Sequence, residues 1–205
     1  MNYDTLATKE IVSKTASALN ANGIETFVAE NGSEALEKIK ELIPKGASVM
    51  NGSSRTLEQI GYIDYLKEGQ HGWNNLHASI LEEKDPAKQA LLRKQSVLSD
   101  FYLGSVHALA ENGEFVIGSN TGSQLPHIVF TSQNLIFVVS TKKIVPTLAD
   151  AMKRLEEHVQ PIEDKKILEK FKIHTMLSKV IIFKRENTML GRKATMILVN
   201  EDLGY

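Results

Sequence analysis

Asn51-Gly52-Ser53-Ser54-Arg55-Thr56 is a loop of small and hydroxyl-bearing residues that ends on a cation followed by a threonine. Gly52 lets the backbone come close to a ligand, and Ser53, Ser54 and Thr56 offer hydroxyls. The free N–H groups of the helix start that follows favour an anion. Arg55 adds a forked, charge-assisted contact to a carboxylate or phosphate. The chemistry implied is recognition of a small anion. The plainer account of the same residues is a capped helix start with an exposed arginine, because a Gly-Ser loop without a full phosphate-loop pattern is a weak signal.

A second stretch, Ser99 to Val145, alternates short apolar runs (FYLG, FVIG, LIFVV) with loops rich in Gly, Asn, Ser and Thr. That texture suits buried strands whose loops all surface along one edge, where an α/β protein keeps its ligand. Its plainer account is strands and turns, with AENGEF carrying the Asn-Gly pair of an ordinary hairpin.

The composition narrows the chemistry. The chain has 205 residues, 42% hydrophobic and 24% charged, with a formal net charge of -1 and no cysteine. Ordinary globular values and this length fit one generous domain, taken as residues 1–205, with ample material for a core. No clustered positive face is present to neutralise phosphates, so nucleic acid is not the expected partner. The lack of cysteine removes disulfides, thiolate zinc sites, cysteine-ligated iron–sulfur clusters and a cysteine nucleophile. Six scattered histidines without an HxxxH pair give no metal site. No GxSxG elbow and no GxGxxG fingerprint after a strand occur, so a serine triad and an NAD or flavin held by this chain alone are not expected. The expectation is no cofactor. No leader-like segment or membrane-length apolar run is seen, and the expected location is cytoplasmic, away from membranes.

The elements that must hold these loops follow from periodicity. Leu6, Ile11, Val12, Ala16 and Leu19 form one stripe of a helix over about Thr5 to Asn20, stopped by Asn22 and Gly23. IETFVA reads as a strand. Ser33 is placed to cap a helix carrying Ala35, Leu36, Ile39, Leu42 and Ile43, and Ala47 to Met50 reads as a buried strand. The GSSRT loop then opens the helix TLEQIGYIDYLKE. Alternation of this kind predicts a parallel sheet covered by helices. Residues Gly69 to Asp85, with the only Trp and His71 and His77, read as a lid, a binding loop or an oligomer contact, the plainer role of a lone Trp being packing. Pro86 to Ser99 makes another covering helix, and Thr147 caps TLADAMKRLEEHV. KVIIFKRE and KATMILVNE close the chain as two strands, antiparallel to each other or at the sheet edge.

The order of these motifs resembles that of a known family. ELIPKGASVMNGSSRTLEQIGYIDYL, DFYLGSVHALAENGEFV, LIFVVSTKKIVPTLADAMKRL and MILVNEDLGY, in that order, resemble the lactate-utilisation (LUD) domain family in its short stand-alone form, over nearly the whole chain. The resemblance implies an open, mostly parallel sheet with helices on both faces, like the fold of ribose-5-phosphate isomerases and CoA transferases. It implies a link to oxidation of lactate to pyruvate beside iron–sulfur and other subunits. Stand-alone relatives usually carry a Gly-Asn-Arg-Val type loop where this chain has Ser119 to Gln124 without Arg, and some carry a cysteine cluster.

Carried over by position, the ligand edge implied by the resemblance comprises Gly52, Ser53, Ser54, Arg55 and Thr56, then His107, Glu111 and Asn112, then Asn120, Thr121 and Gly122, then Lys142 and Lys143. Of these, Glu111 is the candidate for acid–base or nucleophilic work, with a solvated hairpin residue as its alternative. His107 is a candidate proton carrier or a hydrogen-bonded wall residue. Lys143, beside Ile144, is a candidate partner for substrate charge or an exposed strand-end lysine. The function expected is binding of a small carboxylate, phosphate or CoA ester, in a subunit for lactate or organic-acid oxidation. The alternative is a non-catalytic sensor or structural subunit of a redox complex. A homo-oligomer held by exposed Trp73, Tyr62 and Tyr65 is a third reading.

Overall fold

A computed structural model describes residues 2–205. Helix α1 (Lys9–Ala21) starts at Thr8, whose Oγ1 accepts from the Ile11 amide, and it buries Val12, Thr15 and Leu19. Strand β1 (Ile24–Ala29) follows, then α2 (Gly32–Leu42) and β2 (Ser48–Asn51). Asn31, not Ser33, caps α2: its side chain accepts from the Glu34 amide at 3.0 Å, because the helix begins at Gly32, two residues earlier than a Ser33 cap requires. The expected helix after the GSSRT loop is two helices, α3 (Arg55–Gln59) and α4 (Tyr62–Glu68). Gly61 divides them, with a left-handed φ of +80° that ends one helix and aims the next.

Beyond the short β3 (Asn74–Asn75) lie α5 (Leu76–Glu82) and α6 (Pro86–Gln95). Asp85 caps α6, which has no fully buried residue and is a looser cover than its spacing predicts. Strands β4 (Phe101–Gly104), β5 (Ala108–Ala110), β6 (Phe115–Ser119), β7 (Asn134–Ser140) and β8 (Ile144–Val145) come next. Thr147 caps α7 (Leu148–Lys153) as expected, and the helix continues through a π-helical stretch, Arg154–Val159, into α8 (Gln160–Phe171). Strands β9 (Lys179–Phe183) and β10 (Lys193–Val199) complete the chain.

Six strands form the main sheet in the order β1-β10-β7-β4-β2-β3, every pair parallel. The α/β class and the parallel sheet are as the alternation predicts. Of the two closing strands, β9 lies at a sheet edge as expected and β10 does not. β10 is the second strand of the main sheet, hydrogen-bonded on both sides, and its run Ala194 to Val199 is buried throughout, as a strand covered on both faces must be. β9 pairs antiparallel with β6 in a second sheet, ordered β8-β5-β6-β9. The AENGEF hairpin joins β5 to β6 in that second sheet. The Ser99–Val145 stretch therefore divides itself between two sheets.

Period-two alternation sorts the core of the main sheet. Leu135, Phe137 and Val139 of β7 face α1 and the second sheet, with Leu19, Tyr102, Leu109 and Phe115. Ile136 and Val138 face α2, α3 and α4, with Ala35, Ile39, Leu57 and Tyr62. Ala108, Val116 and Val145 on the far side of the second sheet pack on Ala151, Leu155 and Val159 of the long helix.

The Gly69–Asp85 segment is packing, not lid. Trp73 and Tyr62 are buried, Trp73 Nε1 donates to the Ile43 carbonyl at 3.1 Å, and the Trp73 amide donates to His71 Nδ1 at 2.9 Å. His71 therefore carries its proton on Nε2, facing the Leu66 carbonyl at 3.2 Å. Tyr65 meets Trp73 edge-on. A ring system so enclosed leaves Trp73 and Tyr62 no surface for an oligomer contact.

Phe137 is fully buried and meets the Phe115 ring edge-on, 5.3 Å between centroids, at the seam of the two sheets. Phe137→Ala is expected to cost about 3–5 kcal/mol, whereas Val28→Ala, at a half-exposed site, is expected to change stability by less than about 0.5 kcal/mol. Urea unfolding of the two variants beside the wild type checks both figures.

Candidate functional site

A parallel sheet sends every chain segment off its carboxyl edge in one direction, and a cleft of about 920 Å³ opens there. Its walls are the loop after β2, the segments leaving β4 and β6, Lys143 after β7, the α8 helix and the tail at Gly204 and Tyr205.

Two connections shape its floor. From β4 the chain crosses through Ser105, Val106 and His107 into β5, and from β7 it crosses through the single turn Thr141–Lys143 into β8. β4 and β7 are neighbours in the main sheet, β5 and β8 in the second, so the two crossovers run side by side from one sheet to the other. Ser140 starts the second crossover, its hydroxyl accepting from the Lys142 amide. That turn swings the two lysines to different fates. Lys142 Nζ meets the Asp202 carboxylate and donates to the Gly204 carbonyl at 3.1 Å. Lys143 is buried, 4% exposed, and donates to Thr56 Oγ1 at 3.2 Å, Ser105 Oγ at 3.0 Å and the Val106 carbonyl at 3.2 Å. Among the described residues it makes no ion pair.

An ammonium in such a place is costly unless it is paired or gives up its proton. Burial, reinforced by the Arg154 and Lys142 charges, pushes the Lys143 amine down to about 7 from 10.5. Arg154 lies on the buried side of the π-helical stretch, with no exposure. One of its nitrogens, Nη1, donates to the His107 carbonyl, and its guanidinium sits 5.5 Å from the Tyr3 ring. Its Nε and Nη2 have no hydrogen-bond partner among the described residues. Burial lowers it to about 10, so it stays cationic at neutral pH. The cleft floor is thus positive, while its rim mixes Arg55, Lys166 and Lys170 with Glu58, Glu163 and Glu169.

The first loop contributes in detail. Thr56 is buried and is one of the Lys143 acceptors. Ser54 Oγ is spent on capping α3 through the Leu57 amide at 3.3 Å. Arg55 lines the cleft half-exposed and ion-paired with Glu58 at 3.2 Å. Gly52 and Ser53 line the wall. Above Thr56 and Lys143 runs Gly204, where a Cβ would stand 2.6 Å from Thr56 Oγ1 and 2.8 Å from Lys143 Nζ; only glycine fits so near the amine.

His107 lines the cleft. Its Nδ1 accepts from the Gly118 amide at 3.0 Å, so the ring proton sits on Nε2. Burial, with Lys143 and Arg154 adding to it, pushes this imidazole down to about 3, and it is neutral at physiological pH. Asn120 and Thr121 also line the cleft, Asn120 tied by its Nδ2 to Thr175 Oγ1 at 3.1 Å. Gly122 turns behind them and lies outside the lining, its amide donating to Ser119 Oγ at 3.0 Å. Glu111 and Asn112 sit at the hairpin turn, away from the cleft, and Glu111 is paired at 2.7 Å with Lys14 of α1.

The geometry brings together Gly52 to Thr56, His107, Asn120, Thr121 and Lys143. It adds Ser105, Tyr102 and Gln124 to the lining, and Arg154 behind it through the His107 carbonyl, all of which the motif reading passed over. Arg154 carried a signal: it stands three residues after Ala151 and one before Leu155, both buried, and so belongs to the apolar stripe of its helix. A cation on a buried stripe marks a site or a structural ion pair. No cluster of His, Asp or Glu suited to a metal occurs among the described residues, and no helix among them is long and apolar enough to cross a membrane.

A family model described as LUD domain matches residues 12–175. Among solved structures that match, the crystal structure of a DUF162 family protein from Deinococcus radiodurans superposes with a TM-score of 0.56, covering 96% of this chain and 100% of that one. The two are 12% identical, so that likeness speaks to the fold. No curated protein sequence matches this chain.

The Lys143 amine gives a pH signature. The native protein releases this proton near 7 and the unfolded chain near 10.5, so between those values the unfolded state binds more protons and Lys143 contributes stability that grows as pH rises. Lys143→Met removes the contribution. The stability difference between wild type and Lys143→Met, by urea unfolding at pH 7 and again near pH 10, is expected to move in favour of the wild type at the higher pH.

Proposed function

The chain belongs to the LUD domain family, which relates it to lactate utilisation, and from that premise we propose that its cleft binds a small anionic metabolite, a carboxylate, phosphate or CoA ester, at the strand-end loops. One observation carries this reading: Lys143 is buried at the cleft floor without a carboxylate partner, in contrast to Lys142 beside it. An anion entering the cleft supplies the missing counter-charge, and in so doing draws a proton onto the amine. The Arg154 charge behind the floor strengthens the same field, and the hydroxyls of Ser53, Ser105 and Thr121 line the cleft around it. In organic-acid oxidation such a chain serves as the subunit that holds the acid. If the chain acts in such an oxidation, it has no cysteine to ligate an iron–sulfur cluster, and the electrons go to another protein.

A thermal-shift series tests the reading, with wild type, Arg55→Ala and Lys143→Met each measured against lactate, pyruvate, a sugar phosphate, a CoA thioester and sulfate. A ligand at about 100 times its dissociation constant stabilises by about 2.7 kcal/mol, which for a chain of this size is a rise of several degrees. The expected result is such a rise for one anion class in the wild type, reduced in Arg55→Ala and abolished in Lys143→Met. No rise with any anion, or a rise that survives Lys143→Met intact, contradicts the proposal.

A further inference from the structure

A lysine that serves only to hold a fold together is usually paired with a carboxylate, as Lys142 is with Asp202. Lys143 is instead ringed by neutral acceptors, two hydroxyls and a carbonyl, in the wall of a cleft large enough for a metabolite. We propose that Lys143 is an imine-forming lysine, whose amine condenses with the carbonyl carbon of a small anionic aldehyde or ketone, a 2-oxo acid in the first instance. The proposal rests on the cleft being the anion site described above and adds covalent chemistry to it.

The geometry supplies what the condensation needs. The ammonium form has three N–H donors and three acceptors, all engaged. Loss of one proton leaves two N–H bonds and a lone pair, so one of the hydroxyls, Thr56 or Ser105, is released from accepting. Both hydroxyl-bearing residues line the cleft. The lone pair attacks the carbonyl carbon and the C–N bond forms as the C=O π pair moves to oxygen. A proton from nitrogen reaches that oxygen, with the Ser105 or Thr56 hydroxyl within hydrogen-bonding distance of the nitrogen to relay it, giving the carbinolamine. The relaying hydroxyl gives a second proton to the same oxygen, which leaves as water as the nitrogen lone pair closes the C=N bond, and the remaining N–H proton returns to that hydroxyl to give the neutral imine. Amine plus carbonyl gives imine plus one water, with no oxidant or reductant consumed.

The surroundings favour an amine ready to react near neutral pH. Arg154 and Lys142 disfavour the ammonium by charge, and the enclosure by Gly204 and Thr56 disfavours it by desolvation. Among the described residues no titratable group is hydrogen-bonded to the nitrogen, and His107, which lines the same cleft, is held neutral. Positive charge from Arg154 answers the carboxylate that a 2-oxo acid brings with it.

The test is borohydride trapping on the full chain, with pyruvate and, separately, dihydroxyacetone phosphate as probes, followed by intact mass and peptide mapping. The expected result is one reduced adduct per chain, saturating with probe concentration and mapping to the peptide that holds Lys143. The adduct is expected to be lost in Lys143→Met and in Lys143→Arg, each confirmed folded by circular dichroism. Reduction of the pyruvate adduct alone assigns the 2-oxo acid class, and of the phosphate adduct alone the phosphorylated carbonyl class. Labelling spread over surface lysines, or none at Lys143 with either probe, overturns the proposal. If anions still raise the wild-type melting temperature in that case, the anion site stands without the imine; if they do not, both fall.

Discussion

Lys143 is held out of water by three pieces of chain: the segment after β2 through Thr56, the crossover after β4 through Ser105 and Val106, and its own crossover after β7. Its three hydrogen bonds satisfy the geometry of the amine but not the charge of an ammonium. Neutral acceptors recover part of the lost hydration, and only a counter-ion or loss of the proton recovers the rest. The adjacent Lys142 meets the same problem by pairing with Asp202. That two neighbouring lysines on one short turn are treated so differently is the central electrostatic fact of the cleft.

The scaffold makes this placement unavoidable. Because β4 and β7 pair in parallel, their exits lie side by side at one edge, and because β5 and β8 pair in parallel in the second sheet, the two crossovers remain adjacent as they pass between sheets. The small sheet and the long helix from α7 to α8 then roof that junction, bringing Arg154 to its underside and α8 to its rim. Packing at the seam, with Phe115 against Phe137 and Phe183, locks one sheet against the other, so the amine is positioned by the rigid part of the protein and not by a mobile loop. The cleft belongs to the joint between two sheets as much as to the edge of one.

Much of this was legible in the sequence where local pattern and global role agree. IETFVA, FYLG, FVIG and LIFVV are strands, Thr147 is a cap, and the GSSRT loop and Lys143 lie in one cleft. The failures have specific physical causes. An unbroken helical stripe across TLEQIGYIDYLKE conceals Gly61, whose left-handed backbone leaves no mark on the apolar spacing. KATMILVNE, near the end of the chain, reads as an edge, yet its unalternating run Ala194 to Val199 already had the pattern of a strand buried on both faces. Trp73 looks available in a loop-like segment and is buried with Tyr62 of α4, because an indole whose N–H groups are satisfied gains more from enclosure than from exposure. Which sheet a strand joins, and hence that Glu111 faces Lys14 on α1 while His107 faces the cleft, depends on long-range pairing that periodicity does not encode.

The account stands most directly on the charge state of one nitrogen. Selective carbon-13 labelling of lysine, with the Lys143 Cε–H resonance assigned by its loss in Lys143→Met and followed through a pH titration, reads that state without any ligand. A midpoint near 7 is the result the account predicts. A midpoint near the ordinary lysine value of 10.5 would mean that the amine is solvated or paired after all, and would contradict it.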